Sequence, residues 1–171
     1  ARDHAGNIAL IGGKSFAVDF NPIAITTSDN FSGSNQSFVV TDNQTGEDGD
    51  NVTLRVRIAH IQPPSVGNIQ IDFSLSDSTE ASFSKTSSNN STSLSFDKNS
   101  WDKAQTLYIY GVDDDIDDDN KSYLLSWDIS FGTNPIWNFI GSDDSANRQL
   151  SFINLDNDKA GFSLAVTDNS T

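Results

Sequence analysis

The sequence predicts an all-β domain built as an antiparallel β-sandwich. Apolar and polar residues alternate along several short segments, and helical periodicity is hard to find anywhere in the chain. The segments are separated by turns rich in Ser, Asn, Asp and Gly, as in sandwich domains. A chain of 171 residues fits one domain of ordinary size with flanking segments, and it needs no disulfide to bury a core.

Seven segments are predicted as strands, in chain order. The best alternation is "VTLRVRIAH", which places Val52, Leu54, Val56 and Ile58 on one face. The seven ranges are 37–41, 52–60, 69–75, 81–96 (interrupted), 104–112, 122–131 and 149–155. We expect residues 36–159 to form the immunoglobulin-like sandwich, residues 1–35 to be a leader or the end of a preceding module, and residues 160–171 to start a following module or form a C-terminal strand.

The charge is strongly negative and comes almost entirely from aspartate. The chain has 10 Lys and Arg against 24 Asp and Glu, a formal charge of −14, and only Glu47 and Glu80 are glutamates. Aspartate is a residue of turns, helix caps and cation sites rather than of helix surfaces. Such a chain repels nucleic acid and anionic membrane surfaces, and it has no apolar run long enough for membrane insertion. Cations are the partners that this charge favours.

Catalytic chemistry has little support in the sequence. Cysteine is absent, the only histidines are His4 and His60, and no G-x-S-x-G motif occurs. Paired carboxylates serve glycoside hydrolases, but carboxylates packed as densely as they are here titrate as a coupled group and favour cation binding. We therefore expect a protein that is not an enzyme.

Three acidic segments are predicted to meet at one end of the sandwich. They are "TGEDGD" at 45–50, "GVDDDIDDDN" at 111–120 and "NLDND" at 154–158. If consecutive strands run antiparallel, alternate loops lie at the same end, and these segments together with the 76–80 loop share it. We call this end the acidic pole; its acids are Glu47, Asp48, Asp50, Asp77, Glu80, Asp113, Asp114, Asp115, Asp117, Asp118, Asp119, Asp156 and Asp158.

Convergence of so many carboxylates costs folding free energy unless a cation occupies the pole. Oxygen ligands on flexible loops suit Ca²⁺, whereas Zn²⁺ prefers nitrogen or sulfur and Mg²⁺ demands a tighter octahedron. The alternative is a solvated acidic surface on a metal-free structural spacer.

Two segments, "SFDKNSWDKAQTLYIYGVDDDIDDDN" and "FINLDNDKAGF", resemble the Calx-β repeat, which is named from sodium–calcium exchangers and is common in large bacterial surface and adhesin-like proteins. The resemblance covers roughly residues 37–161 and implies a seven-stranded immunoglobulin-like sandwich with Ca²⁺ at the acidic pole. It implies as metal ligands Glu47, Asp113, Asp114, Asp118, Asp156 and Asp158, with Asp115 and Asp117 as helpers and Asp77 as the acid of the 76–80 loop.

The same resemblance implies a non-catalytic module of a large secreted or cell-surface protein. Its partners would be neighbouring repeat modules of the same chain, and bound Ca²⁺ would stiffen a stalk or adhesin.

A second hypothesis is an adhesion module that binds a host or cell-surface glycan or protein through the 132–147 loop. Trp137 is the candidate ligand contact in that loop, and packing against the core or the loop is the favoured alternative for it. Trp101 and Trp127 are expected to pack against the core instead.

Overall fold

The computed structural model describes residues 8–11, 14–17, 23–26, 38–40, 42–58, 68–130 and 148–162. These residues form strands, turns and bends, without any helix among them. Within these ranges no helix is long and apolar enough to cross a membrane.

The strands are arranged in one hairpin and two five-stranded sheets. They are β1 (Ile8–Ile11), β2 (Lys14–Ala17), β3 (Ile23–Thr26), β4 (Phe38–Val39), β5 (Gln44–Gly46), β6 (Asn51–Ile58), β7 (Ile69–Leu75), β8 (Ala81–Ser82), β9 (Ser91–Phe96), β10 (Gln105–Gly111), β11 (Lys121–Ser130) and β12 (Gln149–Leu155). The first sheet has the order β4-β3-β6-β10-β8, the second has the order β5-β12-β11-β7-β9, and β1 pairs with β2. Two sheets with a shared core confirm the predicted β-sandwich.

The period-2 alternation of the sequence sets which face of each sheet is buried. Along β7 every second side chain, from Ile69 to Leu75, is buried and those between are exposed. Residues of β6 and β10 pack against residues of β7, β11 and β12 in one hydrophobic core. The largest side chains that are fully buried in it are Tyr123, Phe73, Phe96 and Phe152. Burial of this apolar area is the main stabilising term of the sandwich.

The predicted strand at 81–96 is divided between the two sheets. β8 pairs with β10 in the first sheet, whereas β9 pairs with β7 in the second. Between them the Ser82 hydroxyl donates to the carbonyl of Ser87 at 2.8 Å and accepts from the amide of Asn89 at 2.9 Å, which closes the intervening loop. The segment predicted as one interrupted strand therefore forms two edge strands, β8 in the first sheet and β9 in the second.

Four short strands of the described residues, β1, β2, β3 and β5, were not among the seven predicted. β3 pairs antiparallel with β6 and parallel with β4, and its Ile25 lies in the core. β5 pairs parallel with β12. β3 lies within residues 1–35, so the predicted leader contributes at least this strand to the first sheet; the domain boundaries themselves stay predictions.

The two tryptophans expected to pack inward do so. Trp127 on β11 is buried, and Trp101, in the turn before β10, is partly buried against the core. The third, Trp137, and the 132–147 loop around it lie outside the described residues.

Candidate metal centre

Three chain segments deliver acidic residues to the same end of the sandwich. They are the turn after β5, the loop between β10 and β11, and the segment that follows β12. Because β5 and β12 run parallel, with Leu155 opposite Gly46, both strands end at this side and their next residues are neighbours. The amide of Glu47 donates to the carbonyl of Leu155 at 3.2 Å and extends that pairing into the acidic pole.

Three carboxylates meet closely enough to hold one ion. Oxygen atoms of Glu47, Asp156 and Asp158 all lie within 4.8 Å of one another. Glu47 is 4% exposed, and the two aspartates are half-buried. Three negative charges at such spacing repel one another unless protons or a cation neutralise them.

The backbone of the β10–β11 loop positions Asp156. The consecutive amides of Asp118 and Asp119 donate to its Oδ2 at 3.0 and 2.8 Å. Asp119 has a φ of 65°, in the left-handed region that aspartate tolerates better than most residues. The backbone amide of Asp158 donates to Oδ1 of Asp156 at 2.7 Å. The backbone amide of Asp156 in turn donates to Oδ1 of Asn120 at 3.0 Å. These bonds fix the orientation of the Asp156 carboxylate.

One oxygen of the cluster has no partner within the described part of the chain. Oδ2 of Asp158 is buried and receives no hydrogen bond, whereas Oε2 of Glu47 accepts from the amide of Asn157 at 3.1 Å. A carboxylate oxygen that is shielded from water and has no donor raises the free energy of the folded state, because its desolvation is not compensated. An ion bound between the three carboxylates would supply the missing partner.

The cluster shifts the protonation of two of its members. Burial raises the pKa of Glu47, the hydrogen bond from Asn157 opposes this, and the charges of Asp156, Asp114 and Asp158 raise it further. The pKa of Asp158 is also raised, first by desolvation and then by the charges of Asp156, Asp115, Asp113 and Asp114. Both shifts favour the neutral form, as expected for carboxylates crowded without a counter-charge.

Three other predicted ligands of the β10–β11 loop act on this cluster. The loop acids closest to β10 act on it through their charge, as the raised pKa values of Glu47 and Asp158 indicate; they are Asp113, Asp114 and Asp115. Their charge is one that a bound cation would relieve.

The last two predicted ligands of the loop have partners of their own. Asp117 accepts a hydrogen bond from the amide of Ala160 at 2.6 Å, which ties the loop to the segment after β12. Asp118 pairs with Lys121 at 3.3 Å. Asp117 therefore helps to close the acidic pole, whereas the charge of Asp118 is already countered in part.

Asp77 is held within its own turn. Its Oδ1 accepts from the amide of Thr79 at 2.9 Å and from the Thr79 hydroxyl at 2.6 Å. These hydrogen bonds lower the pKa of Asp77, the hydroxyl contributing most. The geometry accounts for Asp77 as a turn residue, and its role as a ligand stays a prediction, as does that of Trp137.

A buried polar network behind the cluster was missed at the sequence level. The side-chain amide nitrogen of Asn154 donates to the backbone carbonyl of Val112 at 3.1 Å and to Oε2 of Glu80 at 3.4 Å. Its Oδ1 accepts from the Thr45 hydroxyl at 3.1 Å, and that hydroxyl lies 3.1 Å from the hydroxyl of Tyr123. The network joins the acidic pole to the core.

A compositional signal pointed towards this network. Glu47 and Glu80 are the only glutamates of the chain, and they are the only buried acids among the described residues. A glutamate reaches one methylene further than an aspartate, so it can extend from a loop into the interior. In a chain whose other acids are all aspartates, the two glutamates therefore occupy the two positions where an acidic side chain extends into the interior.

The donor set of the cluster fits a hard cation. Every group described at the cluster offers oxygen, the chain has no Cys, and neither His4 nor His60 lies in the described ranges. Ca²⁺ takes six to eight oxygens in flexible geometry, and carboxylates and carbonyls of loops are its usual ligands. The residues present therefore fit Ca²⁺ better than a transition metal.

No protein-family model and no curated protein matches this sequence. Among solved structures, calcium binding domain CBD12 of CALX1.1 is 18% identical at a TM-score of 0.44, over 69% of this chain and 44% of that one. The apo-form Calx CBD1 domain is 16% identical at a TM-score of 0.43, over 68% of this chain and 91% of that one. A cohesin, the third of ScaC from Acetivibrio cellulolyticus, is 7% identical at a TM-score of 0.41, over 78% of this chain and 97% of that one.

The present chain thus spans less than half the length of the first of these structures. Similarity at this level assigns neither a ligand nor a function, and the case for a metal centre depends on the side chains described above.

Proposed function

We propose that this chain is a non-catalytic Ca²⁺-binding module, similar to the Calx-β repeat, in a secreted or cell-surface protein of several modules. The observation that carries the proposal is the set of three carboxylates, from Glu47, Asp156 and Asp158, within 4.8 Å of one another, with Oδ2 of Asp158 buried and unpartnered among the described residues. The resemblance of the two acidic segments to that repeat agrees with it. Additional oxygen ligands, or negative charge close to the ion without direct coordination, would come from Asp113, Asp114, Asp115, Asp117 and Asp118.

The ion would act mechanically. It would join the turn after β5, the β10–β11 loop and the segment after β12, which are distant in sequence and are linked at the pole by hydrogen bonds to Asp156, Asp117 and Glu47. A ligand that binds only these ordered loops stabilises them by its binding free energy. The segment 156–162 would be stiffened in consequence, and with it any connection to a neighbouring module.

A secreted location is part of the proposal. Calcium sites in extracellular modules bind the ion with a Kd of about 10⁻⁴–10⁻³ M, and a site of loop carboxylates in that range would be occupied outside cells and empty inside them.

Thermal unfolding of the chelator-treated chain tests the site. At a Ca²⁺ concentration about 100-fold above Kd, binding contributes about 2.7 kcal/mol, and for a chain of this size the melting temperature should rise by several degrees. We expect little effect of Mg²⁺ at the same concentration and loss of the Ca²⁺ effect in Asp158→Asn. Asp102→Asn, in the exposed turn before β10 at the other end of the sandwich, is the matched charge control. A wild-type chain that melts at the same temperature with and without Ca²⁺ would rule out the site.

Limited proteolysis tests the stiffening. Lys159 is exposed within the segment after β12, and Lys98 and Lys103 are exposed in the turns before β10. We expect Ca²⁺ to slow tryptic cleavage after Lys159 and to leave cleavage after Lys98 and Lys103 unchanged. Equal protection of all three sites would indicate a global effect instead of a local one.

A further inference from the structure

The outward face of the first sheet carries a pair of tyrosines. Tyr108 and Tyr110 alternate along β10 with the buried Leu107 and Ile109, so both project away from the core. Their ring centroids lie 6.2 Å apart with an interplanar angle of 25°. Tyr108 is 46% exposed.

Hydrogen-bonding side chains flank the rings on β6. The register places Thr53 opposite Tyr108 and Asn51 opposite Tyr110, and both are exposed on the same face. The side-chain amide of Asn51 donates to the Thr53 hydroxyl at 3.2 Å, so these two side chains are held beside the tyrosine rings. Aromatic surface bordered by fixed amide and hydroxyl groups is the composition of a ligand site.

The tyrosine pair continues into a cleft. Tyr110 lines a space of about 390 Å³ together with Ser84 and Thr86 of the β8–β9 loop and Asp48 and Asp113 of the acidic pole. The lining is therefore rich in hydroxyl and carboxylate oxygens and has one aromatic wall. The β8–β9 loop, which forms the other wall, is held by the hydrogen bonds of the Ser82 hydroxyl to its backbone.

We propose that this face binds a neutral oligosaccharide, with sugar rings seated on Tyr108 and Tyr110 and the chain extending into the cleft. Sugar C–H groups carry a small positive charge and meet the negative faces of aromatic rings, and sugar hydroxyls donate to carboxylates and to the amide and hydroxyl oxygens present. The site is distinct from the predicted Trp137 contact and needs no metal.

Charge opposes an anionic occupant of this face. The carboxylates of Asp48 and Asp113 and the chain's charge of −14 oppose an anionic ligand. Lys85 also lines the cleft and Arg55 lies on the same outward face as the tyrosines, bonded to Thr106, but Glu47, Asp48 and Asp113 outnumber Lys85 in the lining, so a cationic peptide is the rival that the titration has to exclude. A neutral ligand with many hydroxyls avoids the penalty on anions and can use both the rings and the oxygen atoms of the lining.

Isothermal titration calorimetry of the full chain tests the proposal. The probes are the neutral hexaoses of glucose, xylose, mannose and N-acetylglucosamine, each titrated in chelator and again in millimolar Ca²⁺. We expect at least one of them to bind in both conditions, Tyr108→Ala to weaken it about tenfold or more, and Tyr108→Phe, which keeps the ring, to retain it. Phe162→Ala removes another exposed aromatic, 89% exposed in the segment after β12, and should have no effect.

Several outcomes would overturn the proposal. These are the absence of binding by every hexaose, binding that is unchanged in Tyr108→Ala, and binding of hexa-arginine, lost in Tyr108→Ala, without binding of any sugar. A melting curve for each variant shows that it is folded. Because the titration in chelator contains no Ca²⁺, failure of the metal site and failure of the sugar site are separate results.

Discussion

Gly46 and Gly111 meet backbone to backbone at the point where the two sheets converge. A Cβ atom at Gly111 would lie 2.7 Å from the carbonyl carbon of Gly46 and 2.5 Å from Oδ1 of Asn154. Real side chains do not approach so closely, so β5 and β10 can only come together without one. This contact sets the turn after β5 beside the β10–β11 loop, and it is a condition for the acidic pole.

Gly111→Ala should therefore destabilise the chain. The added methyl group forces β5 away from β10 and disturbs Asn154, a kind of overpacking that typically costs about 1–3 kcal/mol. Urea unfolding in chelator measures the loss. Gly161→Ala is the control, because its Cβ would meet nothing nearer than the Lys159 carbonyl oxygen at 3.8 Å. If both variants unfold at the same urea concentration as the wild type, the contact is less tight than described.

Glu47→Gln should act in opposite directions with and without Ca²⁺. The raised pKa of Glu47 means that its contribution to stability is present below its unfolded value of 4.5 and is lost as the pH rises through the folded value. Glutamine removes the carboxylate whose charge burial and the neighbouring aspartates disfavour, and its amide oxygen still accepts from the backbone amide of Asn157. We expect the metal-free melting temperature at pH 7 to stay the same or rise by a few degrees, and the stabilisation by Ca²⁺ to be lost.

Asp48→Asn, exposed in the same turn, is the comparison for Glu47→Gln. It should retain the Ca²⁺ response. A metal-free Glu47→Gln chain that is markedly less stable than the wild type would contradict the view that this charge is destabilising without an ion.

Asp77→Ala distinguishes a turn residue from a metal ligand. The substitution removes the hydrogen bonds to Thr79, and the loss of such a side-chain cap costs about 0.5–2 kcal/mol. Because the pKa of Asp77 is lowered, its stabilisation is present above its usual value of 3.8 and is lost as the pH falls through the folded value. We expect lower stability at pH 7, and a Kd for Ca²⁺ unchanged in calorimetry; a weaker Kd would identify Asp77 as a ligand.

Tyr123 should make the chain sensitive to alkali. Burial raises its pKa to about 12 from 10.0, and the hydrogen bond between the Tyr123 and Thr45 hydroxyls opposes the shift. The stabilisation is complete below pH 10 and is lost as the pH rises towards 12, an effect of roughly 2–3 kcal/mol. Tyr123→Phe should lose about 1 kcal/mol at neutral pH, from the hydrogen bond with Thr45, and lose this alkaline dependence. An unchanged alkaline slope in urea unfolding would assign the dependence to other groups.

The period-2 pattern was sufficient to predict the long strands. β6, β7, β10, β11 and β12 lie where the alternation placed them, within about two residues at either end. The pattern failed for β5, whose residues Gln44, Thr45 and Gly46 carry no apolar alternation. Its burial depends on polar contacts between Thr45 and the distant Tyr123 and Asn154, which no local pattern reveals.

The convergence of the acidic loops was predictable from strand direction alone, but the side-chain roles within it were not. Asp77 and Glu80 lie in one loop, and their spacing in the sequence does not say which group each side chain bonds to. Asp77 bonds to Thr79 in its own turn, whereas Glu80 is buried beside Asn154. That choice depends on the position of Asn154, which is 74 residues further along the chain than Glu80.

The parallel pairing of β5 with β12 has a kinetic consequence. It brings together residues that are far apart in sequence, since 110 residues separate Glu47 from its hydrogen-bond partner Asn157. Contacts of such high sequence separation form late in folding because they require a large loop closure. The three carboxylates then come together only when β12 has docked, so an ion bound there would slow unfolding far more than it would speed folding. Calcium would therefore stabilise the domain after its strands have assembled and would contribute little to the assembly itself.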